Sequence, residues 1–150
     1  MTSLQKGDKA PDFSAVDQDG NTHTLADYKG KKLVVFFYPK ANTPTCTVEA
    51  CNMRDNFERF QNSNYTLLGV SADTAKAQGN FRKKFDLPFP LLVDEDKKVI
   101  EAFGVWGPKK FMGREFDGIH RTTFIINEKG IIEEVISDVK SKIHADQILK

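Results

Sequence analysis

The chain has two thiols, Cys46 and Cys51, five positions apart in "FYPKANTPTCTVEACNMRD", directly after a strongly apolar run. The residues before Cys46 describe a helix start: Thr43 is a good N-cap, and Pro44 is the residue preferred at the first helical position. Cys46 then falls at the third position, in the first turn. There the unpaired amides and the macrodipole, equivalent to roughly half a positive charge, stabilise an anion. A cysteine so placed can have its pKa lowered from about 8.5 to between ~3.5 and ~7.5, and the thiolate is the nucleophilic form. Cys51 lies five residues on, which on an α-helix separates the two Cα atoms by ~8.7 Å. A disulfide needs less than about 7 Å, so a bond between the two is expected only when the helix start unwinds. That argues for a bond made within a catalytic cycle rather than a static crosslink. The spacing is not the C-x-x-C of a disulfide exchanger. No zinc site is expected either, because His23, His120 and His144 lie at no ligand-like spacing from the cysteines. Cys51 also has a plainer reading, as a small buried hydrophobe beside Val48 and Met53.

The rest of the chain must position these thiols. Its 150 residues suit one domain, 1–150, large enough to bury about two-thirds of its unfolded surface without a staple. With 39% hydrophobic and 29% charged residues, the composition is that of a globular protein. The formal net charge of +1 is scattered in pairs such as Lys31-Lys32 and Lys109-Lys110, which argues against a nucleic-acid partner. The amino terminus "MTSLQKGDKAPDF" has no apolar signal region, and the run Leu33 to Phe37 is too short to span a bilayer. A soluble, cytoplasmic protein with no membrane partner is expected, and in a reducing cytosol a close cysteine pair points to catalysis or metal binding.

The pattern predicts a hairpin of Phe13 to Val16 and Thr22 to Leu25 around Asp19-Gly20, then a central strand in "KKLVVFFYP". From Thr43 to Phe60 the spacing of Val48, Cys51, Met53, Phe57 and Phe60 predicts one helix. A buried strand in "YTLLGVSAD" and a helix from Thr74 to Phe85 follow, and the alternation implies a right-handed crossover and a partly parallel sheet. A short strand and a helical turn come next, then a long loop from Gly104 to Gly118 holding Trp106, Phe111 and Arg114. "RTTFIIN" and "IIEEVIS" form a second hairpin, opened by Arg121 on the face of Thr123 and Ile125, and "SKIHADQILK" a closing helix. The expected class is α/β, a mixed central sheet with helices on both faces and an N-terminal β-hairpin.

Pro39, Thr43 and Cys46 match the Pro-x-x-x-Thr-x-x-Cys signature of peroxiredoxins, and "TPTCTVEAC" resembles the bacterioferritin comigratory protein, or Q-type, subfamily. The resemblance runs through "GDKAPDFSAVDQDG" and "LPFPLLVDED" to "GVWGPKKFMGREFDGIHRTTFIIN", nearly the whole chain. It implies a thioredoxin-like fold and a thiol peroxidase that reduces hydrogen peroxide and organic hydroperoxides without metal, haem, flavin or other cofactor. By resemblance, Cys46 is the peroxidatic nucleophile, Thr43 contacts thiolate and peroxide, Pro39 shields the pocket, Arg121 orients both reactants and Cys51 is the resolving cysteine. Thioredoxin or a similar dithiol is the expected reductant, and a monomer or weak homodimer the expected form.

An arginine fits the role assigned to Arg121, because it cannot deprotonate and donates in a fixed fork. Plainer roles stand beside these: Thr43 as a cap alone, Pro39 as a strand end, Arg121 as an exposed strand-end charge. Glu49, one turn after Cys46, supports Arg121 or the helix start, or else faces solvent. Trp106 and Phe111 line the substrate mouth or pack down as a satellite cluster. Two alternative functions remain: a one-cysteine peroxidase with an inert Cys51, and a non-catalytic thioredoxin-fold module that relays disulfides.

Overall fold

A computed structural model describes residues 2–150. Its main sheet has seven strands in the order β2-β1-β5-β4-β3-β8-β9. The N-terminal hairpin is β1 (Ser14–Asp17) and β2 (Thr22–Thr24), with β1 also antiparallel to β5 (Leu91–Val93). The apolar run forms β3 (Lys32–Phe37), parallel to β4 (Tyr65–Ser71) and antiparallel to β8 (Thr122–Ile126). Strand β9 (Ile132–Ile136) completes the second hairpin. Because β3 is paired on both edges and covered on both faces, its residues need no polar alternation, which is why they read as one unbroken apolar stretch.

The pleat sends alternate residues of β3 into two cores. Val34 and Phe36 face a layer built from α1 (Pro44–Asp55), α2 (Phe57–Asn62), α3 (Ala75–Lys84) and α5 (His144–Leu149). Leu33, Val35 and Phe37 face Phe13, Phe103 and Val105, with α4 (Lys98–Ala102) the helix on that side. Helices thus lie on both faces, as expected, but unequally. No helix of the described residues is long and apolar enough to cross a membrane.

Three expectations are corrected. The helix expected from Thr43 to Phe60 breaks at Asn56, whose φ of −107° and ψ of 14° end α1, and α2 starts at the next residue. The buried face of α1 is Cys46, Glu49, Ala50 and Met53, while Val48 is 40% exposed and Cys51 half-buried. Apolar spacing alone misplaced that face, because a charged residue, Glu49, occupies its centre. The segment Gly104 to Gly118 is mostly no loop: β6 (Trp106–Phe111) and β7 (Arg114–Ile119) pair as an antiparallel ribbon outside the main sheet.

Close packing at β4 yields one prediction. A Cβ on Gly69 would stand 2.8 Å from Leu91 Cδ2, 3.0 Å from Phe36 Cζ and 3.2 Å from Tyr38 Cε1. Gly69→Ala is therefore expected to lower unfolding free energy by about 1–3 kcal/mol through overpacking, as read by urea denaturation.

Candidate active site

The turn between β3 and α1 leads directly to Cys46 in the first turn of the helix. Ala41 donates its amide to Asp73 Oδ2 at 2.7 Å, and Ser71 Oγ holds the same oxygen at 2.6 Å, which ties the turn to the end of β4. Asn42 adopts a left-handed φ of 62°, tolerated by asparagine, and returns the chain to an extended Thr43 at the N-cap. Thr43 does not cap with its side chain. Its hydroxyl donates instead to Lys40 O at 2.9 Å, and no side chain accepts from the helix amides. The first-turn amides are left for a ligand, and the Thr43 oxygen, its proton committed, can serve another group as an acceptor. Pro39 sits half-buried in this turn.

Cys46 is 2% exposed, and its Sγ receives Arg121 Nη2 at 3.3 Å. The other arm of the fork, Nη1, donates to Glu49 Oε1 at 2.7 Å. Arg121 and Cys46 are 75 residues apart in the chain, and β8 beside β3 is what brings them together. Glu49 is completely buried, and desolvation pushes its carboxyl up to about 7 against the opposing pull of Arg121. Its second oxygen, Oε2, has no hydrogen-bond partner among the described residues and lies 3.7 Å from His144 Nε2 on α5. The sulfur therefore faces a guanidinium that a buried carboxylate holds in plane, an arrangement suited to a thiolate and to an oxygen that gains charge beside it.

Of the residues expected at the site, Cys46 and Arg121 meet directly, Thr43 stands at the N-cap of the helix that carries Cys46, and Pro39 lies in the preceding turn. Glu49 resolves in favour of supporting Arg121. Cys51 stands apart from this cluster, half-buried farther along the unbroken α1, and both cysteines are free thiols. Trp106 packs with the core on the other face of the sheet under Lys97 Nζ, and Phe111 is 66% exposed in the ribbon. Sequence reading missed two neighbours. Lys109 of β6 donates to Ile119 O at 2.9 Å and senses both Arg121 and Cys46, and burial pushes its ammonium below the usual range. His144 is fully buried. Neither carries a local signal, since a single lysine in a ribbon and a single histidine in a short helix are ordinary.

The model of the AhpC/TSA family matches residues 6–135. Peroxiredoxin Bcp of Escherichia coli is 48% identical over 149 residues, covering 99% of this chain and 96% of that protein. Peroxiredoxin Bcp of Bacillus subtilis is 44% identical over 148 residues, covering 99% and 94%. The structure of peroxiredoxin Q from Xanthomonas campestris superposes with a TM-score of 0.88 at 33% identity, over 99% of this chain and 94% of that one. With a cysteine at a proline-led helix start, an arginine fork on its sulfur and full-length relatives of one kind, the chain belongs to the AhpC/TSA family, as a peroxiredoxin of the Bcp and Q type.

Proposed function

We propose that this thiol-dependent peroxidase reduces hydrogen peroxide and organic hydroperoxides through Cys46, with Cys51 as the resolving thiol and thioredoxin or a similar dithiol as reductant. The observation that carries the reading is the Arg121 Nη2 to Cys46 Sγ contact of 3.3 Å at the start of α1. The Cys46 thiolate attacks the nearer oxygen of ROOH, the O–O bond breaks, and the leaving alkoxide takes a proton to become ROH. Arg121 and the free amides of the first turn stabilise the charge moving onto the leaving oxygen, while the Thr43 oxygen accepts from the peroxide O–H. Sulfur is left as a sulfenic acid.

The Cys51 thiol then displaces hydroxide from the sulfenic sulfur, giving a Cys46–Cys51 disulfide and water. An intact α1 keeps the two Cα atoms ~8.7 Å apart, so its first turns must open. Opening there is inexpensive, because a helix start without a side-chain cap has few bonds to lose. Two thiols of the reductant restore both cysteines by exchange.

Cys51→Ser tests the division of labour. One equivalent of peroxide should still oxidise Cys46, leaving a sulfenic acid that a 1,3-diketone traps, while thioredoxin-supported turnover falls about tenfold or more, the exchange partner within the chain being gone. Mass spectrometry of the parent should find the Cys46 and Cys51 peptides linked. Unchanged turnover in the variant would favour a one-cysteine cycle.

A further inference from the structure

Behind Arg121 lies a polar chain that the peroxidase cycle as described does not use. Gln147 Nε2 donates to Asp138 O at 2.9 Å, which fixes the amide so that Oε1 faces His144 Nδ1 at 2.7 Å. An amide oxygen only accepts, so Nδ1 carries the imidazole hydrogen. His144 Nε2 is then an acceptor, and it receives the Thr123 hydroxyl at 2.7 Å. Burial pushes the imidazole below its usual 6.5, in keeping with a neutral ring. Glu49 Oε2, fully buried and without a donor, faces this same nitrogen at 3.7 Å. A bare carboxylate oxygen opposite a ring lone pair is an unfavourable arrangement, and one proton placed between them removes it.

We propose that His144 is a positioning residue of the peroxidatic site: its Nε2 accepts a proton carried on Glu49 Oε2, in competition with the Thr123 hydroxyl. The inference rests on the assignment of Cys46 and Arg121 above. Oε1 keeps its bond from Arg121 in both states, so the guanidinium stays in place. What changes is charge. With Oε2 protonated, Arg121 has the Cys46 thiolate as its single anionic partner; with Glu49 ionised, the thiolate and a carboxylate share one cation and oppose each other. Burial pushes the Glu49 carboxyl up to about 7, which puts this exchange near neutrality.

The charged and titratable groups around the pair are few. Cys46 and Glu49 come from α1, Arg121 from the residue before β8, His144 from α5, Lys109 from β6, and Tyr38 from the end of β3. Lys109 reaches the pair only through Arg121 and Cys46, and the Tyr38 phenol, held well above 10 by burial, stays neutral. Apart from the Cys46 thiol itself, Glu49 and His144 are the groups among the described residues that can hold the mobile proton.

Infrared difference spectroscopy of the reduced protein reads that proton directly, as a carboxylic-acid carbonyl band that rises as pH falls and that Glu49→Gln removes. In His144→Gln the amide nitrogen takes the place of Nε2 and offers a donor to Oε2. The carboxylate is favoured, and the midpoint of the band should fall by about one pH unit. Thr123→Val, nearly isosteric, frees Nε2 for Glu49, and the midpoint should rise. The rate of Cys46 oxidation by peroxide should inflect at the same pH and follow the band in both variants. An unmoved midpoint in either variant, a rate profile that stays while the band moves, or no Glu49 band at any pH where the protein is folded would overturn the proposal. The band and its response to His144→Gln and Thr123→Val can also be read in Cys46→Ser, where no thiolate opposes Glu49, so this outcome and that of the nucleophile assignment are separate.

Discussion

Replacing Cys46 with serine is expected to reduce peroxide consumption by about 10⁴–10⁶-fold, the scale on which loss of a catalytic nucleophile is felt. The two side chains differ by one atom, but sulfur is by far the stronger nucleophile toward a peroxide oxygen. A serine hydroxyl in the same place stays neutral and does not attack the O–O bond. The fold should tolerate the change: Sγ touches Arg121, and a hydroxyl can accept from Nη2 in its place. The measurement is peroxide consumption coupled to a thioredoxin system, with thermal unfolding as the control for structure. A variant that consumed peroxide as fast as the parent would move the chemistry off Cys46. Cys51 would be the remaining thiol, although it has no arginine on its sulfur.

The second large effect is that of Arg121→Met, and it has two separable parts. The rate of sulfenic acid formation should fall about 10²–10³-fold, as when a donor to a developing oxyanion is removed. Stability should fall as well, because the Glu49 side chain loses the only hydrogen-bond donor it has among the described residues. Breaking a buried pair costs about 3–5 kcal/mol when the remaining charge cannot leave. Here it can leave by taking up a proton. The folded-state pKa of Glu49 is already raised, to about 7 from 4.5, so the protein binds that proton more tightly folded than unfolded. Its contribution is favourable below 4.5 and is lost as pH rises through about 7. Removing Arg121 raises the folded pKa further, so the loss extends to higher pH.

Urea denaturation should accordingly find Arg121→Met close to the parent at mildly acid pH and most destabilised above neutrality. Glu49→Gln added to Arg121→Met should restore stability at high pH without restoring the rate. A destabilisation independent of pH would mean that lost packing around the arginine, not the stranded carboxylate, was the cause.

Much of this protein is decided by signals that act over a few residues. The hairpins β1–β2 and β8–β9 follow from alternation around Asp19-Gly20 and Glu128-Lys129-Gly130, β3 and β4 from unbroken apolar runs, and the start of α1 from Thr43 and Pro44. Each is set by backbone and side-chain preferences of neighbours, so each could be placed without the fold, and Cys46 could be placed in the first turn of α1 with them. What needed the tertiary structure depends on chain segments far apart. Glu49 is buried because Arg121, 72 residues away, meets its charge. The chain end reaches α1 because Ala145 donates to Asn52 Oδ1, 93 residues away, and so delivers His144 to the site. Val48 faces solvent for the same reason: α1 turns toward the sheet the face that carries a carboxylate, since there a partner for it exists. Hydrophobic period measures apolar content, and no period records that a distant arginine makes a buried charge tolerable.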